Sequence, residues 1–161
     1  MKNSISIFST VVFTWITACA FSQDKEGASD PEQFKRVSSK YALNDYIEDS
    51  DSYNISKTTN DGMEVLDFVT GKLKDYDYLN YDSNTFSSTD EIVGHYSDLI
   101  TQAGGELIFK GDGVSCFGVK EEGVYSGSGN GAIYKLRKNE KDTWIVVLAI
   151  NVGNYRLLMI E

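Results

Sequence analysis

Histidine and proline each occur once in these 161 residues, as His95 and Pro31, and cysteine occurs twice, as Cys19 and Cys116. Each scarcity removes a class of chemistry. With one histidine, any Ser-His-Asp or Cys-His arrangement would have to be built on His95. That residue falls at the boundary of a helical wheel with Asp98 three positions on, where a solvated side chain is expected. A histidine-based metal site lacks its second imidazole. Because Cys19 lies in or beside an apolar leader, no disulfide framework is expected, and Cys116 in VSCFGV reads as a small buried apolar side chain. A chain of this length is sized for one domain that buries about two-thirds of the surface its unfolded form exposes, so neither metal nor disulfide is needed for folding.

Long apolar runs are also missing. The longest, Ile5 to Ala18, has 14 residues, whereas about 20 are needed to cross a bilayer. Preceded by Lys2 and followed by small residues, it reads as a secretory signal peptide over residues 1–22, with no transmembrane span in the mature chain. Two processing routes fit. Ala20-Phe21-Ser22 suits ordinary cleavage, leaving Gln23 as the first residue. Ile16-Thr17-Ala18-Cys19 resembles a bacterial lipobox, which would make Cys19 a lipid attachment site.

Basic charge is scarce in one third of the chain. Residues 44–99 hold 13 acidic and 3 basic side chains, while the segments on either side are balanced. An acidic surface repels phosphate backbones and anionic headgroups, so nucleic acid is not an expected partner. Asp45, Glu48, Asp49 and Asp51 cluster in sequence, as do Asp75, Asp77 and Asp82, but neither set has the spacing of a calcium loop, and a solvated face is the expectation.

The chain does contain a well-marked helix. Ser88 with Glu91 forms a capping-box pattern, and Ile92, Val93, Tyr96, Leu99, Ile100 and Ala103 share one face before Gly104-Gly105 stops the turn. Before it, residues 23–40 are polar and aperiodic and read as an arm, a tether or loosely docked. Strands are expected near Ala42–Ile47, Tyr53–Thr58, Met63–Thr70 and Leu73–Tyr81, with turns at Asn60-Asp61-Gly62 and Thr70-Gly71-Lys72. After it come Glu106–Phe109, a turn at Lys110–Gly113, Val114–Val119, Ala132–Arg137, Thr143–Val152 and Tyr155–Ile160. The strand after Thr143 is apolar on both faces, so it belongs at the centre of the sheet. The expected class is α+β: a mostly antiparallel sheet of hairpins with one main helix packed on one face, forming a single domain over residues 41–161. Leu99→Ala is expected to cost about 2 to 5 kcal/mol.

Gly127-Ser128-Gly129-Asn130-Gly131-Ala132 has the glycine spacing of a dinucleotide loop, but a strand follows where a phosphate cradle needs a helix, so no cofactor is expected. Tyr76 and Tyr78 alternate with Asp75 and Asp77, placing rings on one strand face and carboxylates on the other. Those four are the binding candidates, suited to a protein or glycan partner.

The stretch TDEIVGHYSDLITQAGGELIF, followed by AIYKLRKN, DTWIVVLAI and YRLLMIE, resembles the uncharacterised domain that precedes the peptidoglycan-binding domain in some OmpA-family envelope proteins of Gram-negative bacteria. Gly27, Ser29, Asp30, Pro31 and Arg36 echo that domain's opening, without the His that usually stands between Asp and Pro. The resemblance implies an exported envelope module, periplasmic or outer-membrane associated. The expectation is a non-catalytic protein that binds or scaffolds another envelope component. A secreted hydrolase using its carboxylates, or an inhibitor or immunity-type partner of an enzyme, are the alternatives.

Overall fold

The computed structural model describes residues 23–59, 62–112, 117–118, 129–150 and 153–161. Its largest unit is a hairpin of two 18-residue strands, β1 (Ala42–Thr59) and β2 (Gly62–Leu79), with Thr59 opposite Gly62 at the tip. Helix α1 (Thr89–Gln102) follows, then β3 (Glu106–Asp112), β4 (Phe117–Gly118), β5 (Gly129–Lys138), β6 (Lys141–Ile150) and β7 (Asn154–Ile160). Every pairing is antiparallel, in one seven-stranded sheet ordered β3-β5-β6-β7-β2-β1-β4.

Helix α1 starts as its sequence dictates. The Ser88 N–H donates to Glu91 Oε2 at 2.7 Å and the Glu91 N–H to Ser88 Oγ at 3.2 Å, a complete capping box. Gly104, at φ 90°, takes the left-handed step that ends it. The β5–β6 connection is tight: Asn139 and Glu140 adopt positive φ (51° and 64°) and form a two-residue hairpin between Lys138 and Lys141. Asn60, Asp61, Cys19, Cys116 and residues 126–128 lie outside the described residues, while Gly129, Asn130 and Gly131 belong to β5.

The expected α+β class is corrected: one 14-residue helix accompanies a sheet whose first two strands alone hold 36 residues, and the helix is not what covers the second face. The reason lies at Gly71. A Cβ there would stand 2.2 Å from the backbone oxygen of Glu161, so glycine marks a close crossing of chains inside a continuous strand, not a turn. The Lys72 N–H donates to the Glu161 carbonyl (2.9 Å) and the Glu161 N–H to the Lys72 carbonyl (3.0 Å). Past that point β7 no longer pairs with β2, and the outer half of the hairpin lies over the sheet's second face.

Two cores result. On the helix side, Ile92, Val93, Tyr96 and Ile100 pack with Tyr134, Ile145, Val147, Tyr155 and Leu157. On the other, Tyr53, Ile55, Leu66 and Val69 from the hairpin meet Ile133, Trp144, Val146, Leu148 and Leu158. Lys57, 5.7 Å from the Phe109 ring centroid, and Lys135, 3.8 Å from Asp67, tie the hairpin down. Strand β6 is apolar on both faces because each faces a different core.

Leu99 is only half-buried, whereas Ile100 is fully buried, and the cavity prediction moves accordingly. Ile100→Ala should cost about 2 to 5 kcal/mol and Leu99→Ala distinctly less. Urea unfolding followed by Trp144 fluorescence measures both; Trp144 is 4% exposed on the opposite face and so reports global loss of structure. Equal shifts in midpoint would show that the helix rests on the sheet differently.

Candidate functional site

The site begins with Arg36, the only arginine in the polar arm. Its Nε donates to both Asp30 oxygens (2.9 and 3.0 Å), its Nη1 and Nη2 to Asp24 (2.5 and 2.7 Å), and Nη1 also to the Tyr41 carbonyl (2.7 Å). Such a planar fork suits several acceptors at once. Asp24 in turn accepts from the Leu43 N–H (2.9 Å), and the Lys25 N–H donates to the Leu43 carbonyl (2.8 Å). Hydrogen bonding to Arg36 holds the Asp24 carboxyl below its ordinary value, and the two aspartates raise Arg36.

Beneath this clamp lies a stack of tyrosines. Tyr155 stacks on Tyr78 (4.7 Å between centroids, 21° between planes) and meets Tyr41 edge-on at 5.0 Å. The Tyr78 hydroxyl donates to Asp30 (3.1 Å), the Val37 N–H to the Tyr155 hydroxyl (3.2 Å), and the Ser87 N–H to the Tyr41 hydroxyl (3.1 Å). Burial raises Tyr78, Tyr96 and Tyr155. His95 bonds the Lys35 carbonyl through Nε2 (2.9 Å), so it fastens the arm to the helix. The arm is thus a docked part of the domain, with Phe34 1% exposed in the helix-side core.

Where residues 27–34 pass over the sheet they enclose a groove of about 710 Å³. Phe34, Tyr76, Leu136 and Met159 supply buried apolar lining, and Tyr46, Glu48, Lys74, Glu161, Lys138 and Glu32 bring hydroxyl and charge. Tyr46 lies 4.9 Å from Tyr76, with the ring planes at 40°. The Tyr46 hydroxyl donates to Glu48, which is also paired with Lys72; both partners lower the Glu48 carboxyl, Lys72 more. Lys74 donates to Glu161 at 2.7 Å and is raised by it. The arrangement is an aromatic surface bordered by two ion pairs, Glu48 with Lys72 and Lys74 with Glu161, and by the charged side chains of Glu32 and Lys138. It can hold a ligand by stacking and hydrogen bonding.

The four candidate residues separate. Tyr76 lines this groove. Tyr78 is fully buried beneath the arm and serves the clamp. Asp75 and Asp77 line a smaller cavity of about 320 Å³ on the opposite face, together with Asp45, Ile47 and Arg156. Burial pushes the Asp75 carboxyl up, against the pull of Arg156, which donates to both of its oxygens. A carboxyl so engaged is poorly placed to give a proton to a leaving group. Among the described residues, no group of three His, Cys, Asp or Glu side chains is placed to hold a metal ion, and no helix is long and apolar enough to cross a membrane.

Sequence reasoning passed over Phe34, Arg36, Tyr46, Lys74, Lys138 and Met159 as site residues. The available signal was a lone bulky apolar residue and a lone arginine within an otherwise small and polar stretch, at Phe34 and Arg36. No family model matches the chain, and no curated protein matches it significantly.

Proposed function

We propose that the protein is an exported, non-catalytic module of the cell envelope of a Gram-negative bacterium, periplasmic or outer-membrane associated, which binds a glycan or protein component in the groove beneath its arm. The single observation carrying this reading is the groove itself: tyrosine rings and apolar side chains bordered by charged groups, with Lys74 and Glu161 paired across its rim. The leader over residues 1–22 and the resemblance to the OmpA-associated domain support the location. The acidic balance of residues 44–99 supports a partner that is neither nucleic acid nor an anionic membrane surface.

The test follows the methyl resonances of Met159 and Thr143, which line the groove, while short envelope glycans and purified envelope proteins are titrated in. A true ligand should move both, and Tyr46→Ala should weaken it about tenfold, the loss of roughly 1.4 kcal/mol of contact. Turnover of any glycan or ester that disappears on a single carboxylate change, such as Glu48→Gln, would replace this reading with a hydrolase.

A further inference from the structure

Six charged side chains line the groove beneath the arm: Asp30, Glu32, Glu48, Lys74, Lys138 and Glu161. Four of them are already engaged. Asp30 lies 2.8 Å from Arg36 and accepts from the Tyr78 hydroxyl, Glu48 is paired with Lys72 and accepts from the Tyr46 hydroxyl, and Lys74 holds Glu161 at 2.7 Å. Glu32, on the arm, and Lys138, the last residue of β5, are both exposed, and neither has an ion-pair partner among the described residues. The groove therefore presents one uncommitted carboxylate and one uncommitted ammonium.

The floor between them narrows the choice of ligand. Phe34, Tyr76, Leu136 and Met159 are each less than a tenth exposed, so of the rings that line the groove only Tyr46 keeps a half-open face. A neutral sugar would stack on that one ring and leave both uncommitted charges unmatched. A peptide needs only a strip of apolar contact, and it can bring both counter-charges itself. The volume of about 710 Å³ is of the size that holds a small ligand, about 300 to 1,000 Å³.

We propose that the ligand of this groove is a short peptide segment carrying one ammonium and one carboxylate, the ammonium set against Glu32 and the carboxylate against Lys138. The assignment rests on the reading of the groove as a binding site and names the chemistry that the site selects. Complementary charges of this kind fix which way round a ligand lies, because the reversed peptide would meet like charge at both ends. Each exposed pair adds only a few-fold to affinity, the remainder coming from the apolar floor.

The experiment titrates the protein with the peptide Ala-Leu-Leu-Ala in four forms: both ends free, the amino end acetylated, the carboxyl end amidated, and both ends blocked. The Met159 and Thr143 methyl resonances report binding, and a neutral N-acetylated oligosaccharide is the comparison. The free peptide should bind best, and blocking either end should weaken it about threefold. Glu32→Gln should weaken peptides with a free amino end by the same factor and leave the acetylated forms unchanged; Lys138→Gln should do likewise for the carboxyl end. Exchanging the charges, Glu32→Lys with Lys138→Glu, should restore binding of the free peptide. All these variants should unfold at the wild-type denaturant midpoint, since both side chains are exposed. Affinity that ignores the blocked ends or either lost charge would overturn the assignment, and so would an oligosaccharide that binds more tightly than the free peptide. In those cases the groove still binds and its reading as a site stands. If neither peptide nor oligosaccharide moves the Met159 and Thr143 resonances, that reading falls as well.

Discussion

Phe34→Ala is expected to lower the unfolding free energy by about 3 to 5 kcal/mol, the cost of emptying a packed aromatic site. The residue comes from a stretch with no helix or strand, yet it is 1% exposed and belongs to the same core as Ile92, Tyr96 and Ile145. It also lines the groove, so the substitution should abolish any binding there together with the lost stability. Denaturant unfolding checks this through a fall in midpoint at constant slope. A loss under about 1 kcal/mol would show that the arm is an appendage, since surface changes rarely exceed half that.

Arg36→Ala should cost about 3 kcal/mol, the lower end for breaking a buried ion pair. The side chain is only 15% exposed and so is largely withdrawn from water, but Asp24 stays 40% exposed and can be rehydrated. Asp30, at 12%, would keep its bonds from the Tyr78 hydroxyl and from the backbone N–H of residue 36 but lose its only charged partner among the described residues. Arg36→Lys should recover little, because one ammonium cannot reach Asp24, Asp30 and the Tyr41 carbonyl together. The pH dependence has a definite sign. The folded-state value of Asp24 lies below its ordinary 3.8, so its contribution is complete above that pH and disappears as the pH falls through the lowered value. The stability gap between wild type and Arg36→Ala should therefore narrow below about pH 4. A gap that stays constant to pH 2 would remove Asp24 from the clamp.

What could be read in the sequence was local. Ser88 and Glu91 are three residues apart, so the capping box that starts α1 needs nothing from elsewhere in the chain. The apolar run from Trp144 to Ile150 identified a central strand because both of its faces had to be covered. What could not be read depended on distant partners. Gly71 looks like a turn until Glu161 is placed 2.2 Å from where its Cβ would be. The arm looks like a tether because Phe34 and Arg36 are outnumbered by small and polar neighbours, and their partners, Tyr41, Tyr78 and Tyr155 among them, lie elsewhere in the fold. Alternation correctly put Tyr76 and Tyr78 on one face, and Asp75 and Asp77 on the other. Only the fold shows that the arm lies over Tyr78 and leaves Tyr76 beside the groove.

The sheet order also governs how the fold is reached. Strand β7, last in the chain, sits in the middle of the sheet, pairing with β6 on one side and β2 on the other. A growing polypeptide has no strand to join the β1–β2 hairpin to the β3-β5-β6 ladder within the sheet until Asn154–Ile160 becomes available. Tyr76 then has to find Leu157 across 80 intervening positions. Contacts so distant along the chain slow folding. Loss of this short segment would bare the edges of β2 and β6 that it joins, so the remainder is not a smaller version of the same sheet.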